Sequence, residues 1–157
     1  MLAFSRPTLI DAEPKAGAAA SPAPRLLVVD DIPDNRTVLA RRFQKRGFHI
    51  VEAGGGEEAL QLIESEAFDV VLLDVMMPGL NGFEVLRRVR VQHSAADLPV
   101  IMVTANALSE DVAAALEIGA NDYITKPVDF AVALAREAEE RRFFLWIPVA
   151  AIGGVAL

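Results

Sequence analysis

Four apolar runs along this chain each end in a polar residue. The first three cover residues 26–29, 68–73 and 98–103 and are rich in Val, Ile and Leu, and a shorter fourth run covers residues 122–125. Strands without a polar face are typical of parallel sheets that helices cover on both sides, because neither face of such a strand meets water. The carboxyl ends of parallel strands lie at one edge of the sheet, so we expect the polar residues after these runs to meet there.

Segments with helical spacing separate the apolar runs. Five helices are predicted, at residues 34–46, 57–66, 83–92, 109–118 and 129–142. A further short strand is predicted at residues 48–53. Ser109 is the expected N-cap of the fourth helix, and Gly119 ends that helix. Strands and helices therefore alternate five times, which favours an α/β fold with a doubly wound parallel sheet and right-handed crossovers.

Composition limits the chain to one ordinary domain and argues against several classes of function. The chain has 157 residues, of which 53% are hydrophobic, and this size suits a single core. Its net charge of -7 argues against direct binding of nucleic acid, which would need clustered Lys and Arg. The absence of cysteine excludes disulfides, a thiolate nucleophile and Cys-ligated zinc. The simplest location for such a chain is a reducing cytoplasm.

Two terminal segments differ in composition from the predicted folded domain, residues 25–142. Residues 1–24 are rich in Ala and Pro, have no apolar stretch of signal-peptide length and are predicted to be a disordered leader. Residues 143–157 carry no charge. As a helix this apolar tail would reach roughly 22 Å, short of the roughly 30 Å hydrocarbon core of a bilayer. Three interpretations stay open: a truncated membrane helix, a tail packed on the domain or on a partner, and a fusion or reading-frame junction.

The polar residues after the runs form a set that suits phosphoryl chemistry. Asp30, Asp31 and Asp74 would bring three carboxylates into a small volume, where they repel one another unless a cation joins them. A hard divalent ion is implied, and Mg²⁺ fits best because it takes oxygen ligands and needs few carboxylates when a phosphate completes its shell. Asp74 could then attack phosphorus and form an aspartyl phosphate. Lys126 and Thr104 would hold the phosphoryl oxygens.

Four ordered motifs resemble the receiver domain of two-component response regulators. They are Val-Val-Asp-Asp at residues 28–31, Leu-Leu-Asp-Val-Met-Met-Pro-Gly-Leu-Asn-Gly at residues 72–82, Val-Thr-Ala at residues 103–105 and Tyr-Ile-Thr-Lys-Pro at residues 123–127. The resemblance covers about residues 25–142. It implies a CheY-like, flavodoxin-like fold with five helices around a five-stranded parallel sheet of strand order 2-1-3-4-5.

The resemblance also implies how phosphate arrives and where the metal binds. Asp74 would be the phosphoacceptor, which receives a phosphoryl group from a phosphohistidine on a sensor histidine kinase or a histidine phosphotransfer protein. Asp31 and Asp74 would bind Mg²⁺ directly together with the backbone carbonyl of Met76. Asp30 would act largely through a water.

The remaining motif residues are implied to form a switch. Thr104 and Lys126 would contact the phosphoryl group, and the aromatic Tyr123 would change rotamer and report phosphorylation to the last two helices and the strand between them. Met76 and Asn106 would tune the lifetime of the phosphate. The apolar side chain of Met76 cannot orient an attacking water, which predicts slow autodephosphorylation.

Two functions of other classes stay open on the sequence alone. One is a Mg²⁺-dependent phosphohydrolase with an aspartyl nucleophile, although such haloacid-dehalogenase-like enzymes usually carry a D-x-D motif at the first strand, whereas Asp30 and Asp31 are adjacent. The other is a membrane-tethered interaction module that has lost phosphorylation, which the intact set of polar residues argues against. No DNA-binding, cyclase or kinase domain fits in the remaining residues, so the output would lie in a partner or in missing sequence. A phosphorylation-linked homodimer is a further open interpretation.

Overall fold

A computed structural model describes residues 22–106 and 108–126 of the chain. Helices and strands alternate in this order: β1 Arg25–Val29, α1 Pro33–Gln44, β2 His49–Ala53, α2 Gly56–Ser65, β3 Val70–Asp74, α3 Gly82–Gln92, β4 Val100–Thr104, α4 Ser109–Ile118 and β5 Asp122–Thr125. The predicted helix at residues 129–142, the predicted apolar tail and residues 1–21 of the predicted leader lie outside the described residues. Among the described helices, none has the length and apolar character needed to cross a bilayer.

The five strands form one parallel sheet in the order β2-β1-β3-β4-β5. The predicted fold class and the strand order implied by the resemblance are therefore confirmed. In this register Val29 lies opposite Leu73, and Thr104 lies opposite Thr125. The carboxyl ends of β1, β3, β4 and β5 are consequently level, and the residues that follow them emerge at one edge of the sheet.

Helices cover both faces of the sheet, and each face has its own core. Successive residues of β1 point to opposite faces, so Leu27 and Val29 pack in the larger core beneath α2, α3 and α4, whereas Leu26 and Val28 pack in the smaller core beneath α1. Every residue of β3 is buried. This burial on both faces explains why the strands read as continuous apolar runs in the sequence.

The N-terminal caps of two helices differ from the sequence expectation. The prediction that Ser109 caps α4 is wrong, because Ser109 is already the first helical residue and the N-cap position belongs to the extended Leu108, whose side chain cannot accept a hydrogen bond. The start of α3 has a side-chain cap that was not predicted. There the Asn81 side chain accepts a hydrogen bond from the backbone N–H of Glu84 at 3.0 Å.

The first residue of α3 lies against the end of β3. The backbone N–H of Gly82 donates to the carbonyl oxygen of Val75 at 3.0 Å. A Cβ on Gly82 would lie 2.3 Å from the carbonyl oxygen of Asp74 and 2.9 Å from the Cα of Val75. Both are backbone atoms, which cannot turn aside as a flexible side chain could. Glycine at this position therefore lets α3 approach the strand end that carries Asp74.

We expect Gly82→Ala to lower the free energy of unfolding by about 1–3 kcal/mol, the usual range for overpacking. The clash with backbone is the cause, and urea denaturation measures the effect. Gly55→Ala is the matched control because a Cβ there meets nothing within 4 Å. At that N-cap position the loss should stay below about 1 kcal/mol. Equal losses in the two variants would contradict this account of the contact between α3 and β3.

Candidate functional site

Three Asp side chains meet at the carboxyl edge of the sheet. Asp30 and Asp31 directly follow β1, and Asp74 is the last residue of β3. One carboxylate oxygen from each residue lies within 4.8 Å of the other two. Asp30 and Asp74 are buried, and Asp31 is half-buried. The structure thus brings together the three carboxylates that the sequence analysis assigned to one site.

A lysine ammonium lies between two of these carboxylates. The Nζ atom of Lys126 lies 2.6 Å from Oδ2 of Asp30 and 3.4 Å from Oδ1 of Asp74. Lys126 follows β5, and its backbone N–H donates to the carbonyl oxygen of Thr104 at 2.6 Å. The edge strand therefore delivers one positive charge to three negative ones, and the cluster retains an excess of negative charge.

The side chain and backbone of Asp30 are held by the start of α1. The backbone N–H of Ile32 donates to Oδ1 of Asp30 at 2.9 Å, and the amide of Asn35 donates to Oδ2 at 3.3 Å. The guanidinium of Arg36 donates to the carbonyl oxygen of Asp30 at 2.6 Å. Asn35 and Arg36 were not predicted as site residues. Their place at the start of the helix that follows the acidic pair is the signal that could have found them.

Asp74 is held in an environment that disfavours its charge. Burial raises the pKa of Asp74 above its ordinary value, and the nearby charge of Asp30 raises it further. The Lys126 ammonium and the backbone N–H of Met76, which lies 3.4 Å from Oδ1, lower the pKa but do not cancel the rise. An additional cation near Asp74 would therefore favour the carboxylate.

The donor set fits a hard divalent cation. The Oδ1 atom of Asp31 is buried and has no hydrogen-bond partner within the described part of the chain. A buried oxygen left without a partner costs free energy, which a bound cation would recover. Oxygen atoms supply every side-chain ligand in the cluster, as Mg²⁺ prefers. Met76 lies two residues after Asp74 and is 74% exposed.

Thr104 and Tyr123 lie on the neighbouring strands β4 and β5, and both are buried. The Thr104 hydroxyl donates to the carbonyl oxygen of Asn106 at 3.0 Å and accepts from its backbone N–H at 3.2 Å. The Tyr123 hydroxyl has no hydrogen-bond partner among residues 22–106 and 108–126. Burial raises the pKa of Tyr123. The nearby Thr104 hydroxyl lowers this pKa in part, but the hydrogen bonds that Thr104 makes go to Asn106. A neutral hydroxyl without a partner gains from any rotamer that provides one.

Comparison with known proteins identifies the family. The response regulator receiver domain model matches residues 26–136. The chain belongs to this family. Receiver domains are signalling modules rather than enzymes in the usual sense, so family membership confirms the predicted receiver function and disfavours a phosphohydrolase.

Individual relatives give the extent of the match. The domain is 41% identical over 113 residues to the transcriptional regulatory protein AfsQ1 of Streptomyces coelicolor, an alignment that covers 72% of this chain and 49% of AfsQ1. The chain thus spans about half the length of that relative. The chemotaxis protein CheY4 of Vibrio cholerae superposes with a TM-score of 0.68 at 29% identity, over 76% of this chain and 98% of CheY4. The response regulator TrrA of Thermotoga maritima, solved in complex with Mg²⁺-BeF, has a TM-score of 0.64 at 33% identity, over 74% of this chain and 97% of TrrA.

We expect Asp74→Asn to stabilise the metal-free receiver at neutral pH. Because the folded-state pKa of Asp74 is raised above 3.8, the folded protein binds this proton more tightly than the unfolded chain does. The wild-type free energy of unfolding therefore falls as the pH rises from the pKa of Asp74 in the unfolded chain through its raised pKa in the folded protein. Asp74→Asn should lack this fall. Urea denaturation in EDTA at a series of pH values measures it.

The exposed Glu64 provides the control, since Glu64→Gln removes one carboxylate outside the cluster and should change the free energy of unfolding at neutral pH by less than about 0.5 kcal/mol. A lower stability of Asp74→Asn than of the wild type at neutral pH in EDTA would contradict the electrostatic account of the cluster.

Proposed function

We propose that this receiver accepts a phosphoryl group on Asp74 from a phosphohistidine of a sensor histidine kinase or a histidine phosphotransfer protein. The observation that carries the proposal is the convergence of Asp30, Asp31, Asp74 and Lys126 at one sheet edge. In the transfer, a carboxylate oxygen of Asp74 forms a bond to phosphorus while the phosphorus–nitrogen bond of the phosphohistidine breaks. The electron pair of that bond stays with the departing imidazole, which then takes up a proton.

Mg²⁺ is the proposed cofactor. Asp31, Asp74 and the backbone carbonyl of Met76 would hold the ion directly, and Asp30 would hold it largely through a water. When bound, the ion neutralises charge that develops on the phosphoryl oxygens. The unpartnered buried oxygen of Asp31 supports this assignment, as does the all-oxygen set of side-chain donors. The relative TrrA was itself solved in complex with Mg²⁺-BeF.

Lys126 and Thr104 would bind the new phosphoryl group. The Lys126 ammonium lies 3.4 Å from an oxygen of Asp74, so a small movement brings it against a phosphoryl oxygen on that residue. The Thr104 hydroxyl would exchange its hydrogen bond with Asn106 for one with phosphate. Tyr123 would follow into the space that Thr104 leaves, and the surface of α4, β5 and the predicted helix at residues 129–142 would change.

The receiver would catalyse its own phosphorylation and autodephosphorylation and no other reaction. The side chain of Met76 is exposed but apolar, so it cannot orient a water for attack on the phosphate. Asn106 is the second proposed determinant of phosphate lifetime.

The output would lie in a cytoplasmic partner, in sequence beyond this chain or in a phosphorylation-linked homodimer. Residues 143–157 are the proposed segment for any membrane contact.

Incubation with acetyl phosphate and Mg²⁺ should add a single phosphoryl group to the full chain. Intact mass spectrometry measures the adduct, which Asp74→Asn should lack because it has no carboxylate nucleophile. The absence of an adduct on the wild type, or its persistence on Asp74→Asn, would overturn the assignment of Asp74.

After acetyl phosphate is removed, the phosphoryl adduct should decay slowly. A lifetime of seconds would contradict the role given to Met76.

Mg²⁺ and beryllofluoride, a mimic of the phosphoryl group, should shift the amide NMR resonances of Thr104, Tyr123 and α4. Thr104→Val removes the hydroxyl at nearly constant volume, so this variant should still bind beryllofluoride but lose the shifts at Tyr123 and α4. Shifts confined to the immediate neighbours of Asp74 in the wild type would refute the switch and leave the phosphoacceptor intact.

A further inference from the structure

A half-buried arginine joins four segments at the amino edge of the sheet, opposite the acidic cluster. Arg90, near the end of α3, donates through Nε to the carbonyl oxygen of Gly119 at 2.7 Å, at the end of α4. Its Nη1 atom donates to the carbonyl oxygen of Leu98 at 2.9 Å, just before β4, and its Nη2 atom donates to Oδ1 of Asn121 at 3.0 Å, just before β5. The planar guanidinium can satisfy these diverging acceptors at once, which a lysine ammonium cannot.

The Asn121 side chain completes this network. Its Oδ1 atom accepts from Arg90 and also from the backbone N–H of Val100 at 3.0 Å, and its Nδ2 atom donates to the carbonyl oxygen of Ala95 at 2.9 Å. Two donors face the oxygen and an acceptor faces the nitrogen, so the network defines the orientation of the amide. The backbone N–H of Asn121 also donates to the carbonyl oxygen of Val100 at 2.8 Å. Asn121 therefore extends the β4–β5 ladder by one more residue pair.

The short strand β5 depends on such an anchor. It has four residues and pairs only with β4 within the described sheet. A slip of one residue would move Lys126 by about 3.3 Å along the strand, which is longer than its present distance to Asp30. The same slip would turn Tyr123 from its buried face to the other face of the sheet. The register of β5 thus determines where both side chains lie.

We propose that Asn121 and Arg90 are positioning residues for Lys126. They fix the register of β5 from the amino edge and so hold the ammonium beside Asp30 and Asp74 at the carboxyl edge. Neither residue touches the reacting groups. The inference rests on the proposed phosphorylation of Asp74 and deepens it by naming what orients its cationic partner.

The rate of Asp74 phosphorylation by acetyl phosphate, at saturating Mg²⁺ and below the melting temperature of each variant, tests the proposal. Asn121→Ala should lower this rate about tenfold or more, in line with the effect of a misplaced catalytic group. Asn121→Asp keeps an oxygen acceptor for Arg90 and for Val100 but loses the donor to the carbonyl oxygen of Ala95, so its rate should fall less than that of Asn121→Ala. The carboxylates lie at the ends of β1 and β3 and not on β5, so Asn121→Ala should not weaken Mg²⁺ binding, measured by titration.

A double-mutant cycle separates positioning of Lys126 from a general loss of structure. In a Lys126→Ala background, adding Asn121→Ala should cause little further loss of rate, because the group being positioned is gone. A full further loss in that background would overturn the proposal, and so would weaker Mg²⁺ binding by Asn121→Ala or an unchanged rate in this variant.

Arg90→Lys provides a second variant if Asn121→Ala does not fold. It leaves the hydrogen bonds of Asn121 to Val100 and Ala95 in place and should lower the rate several-fold, whereas a wild-type rate would overturn the proposal. Failure of the proposed function looks different, because the wild-type chain itself would then acquire no phosphoryl group on Asp74.

Discussion

Repulsion among Asp30, Asp31 and Asp74, opposed by the single ammonium of Lys126, is the interaction on which the rest of the site depends. Two unit charges about 5 Å apart repel by about 3 kcal/mol at an effective dielectric constant near 20. That is a large share of the 5–15 kcal/mol by which a domain of ordinary size is stable. The fold therefore carries a local cost at this edge, and a bound divalent cation can relieve it.

The two edges of the sheet carry different kinds of side-chain interaction. The carboxyl edge carries the charges, on strands whose apolar side chains are buried on both faces and so cannot shift easily. Gly82 lets α3 approach the end of β3 closely, which fixes the backbone around Asp74. The amino edge carries the Arg90 and Asn121 network, which ties β5 to β4 and α4. Charged groups therefore gather at one edge, and a hydrogen-bond network fixes the strands at the other.

The sequence predicted the sheet and the acidic cluster because both follow from short-range patterns. Continuous apolar runs indicate strands buried on both faces, and the residue after each run must lie at the common edge. The contact of Arg90 with Asn121 could not be read in this way, since it joins residues whose proximity depends on helix packing. The contact of Asn35 with Asp30 is local, and the place of Asn35 at the start of the helix after the acidic pair is the signal that could have found it. The cap of α4 was predicted wrongly because Ser109 suits either side of a helix start, and the preceding turn decides which.

A crystal structure of the full chain with Mg²⁺ and beryllofluoride is the most direct test of the central claim that Asp74 is the phosphoacceptor. The account predicts beryllium bonded to a carboxylate oxygen of Asp74, Mg²⁺ held by Asp31 and Asp74, and a fluorine in contact with Lys126. Beryllofluoride bonded to Asp30 or Asp31, or a cluster that binds Mg²⁺ but leaves Asp74 unmodified at saturating beryllofluoride, would contradict it.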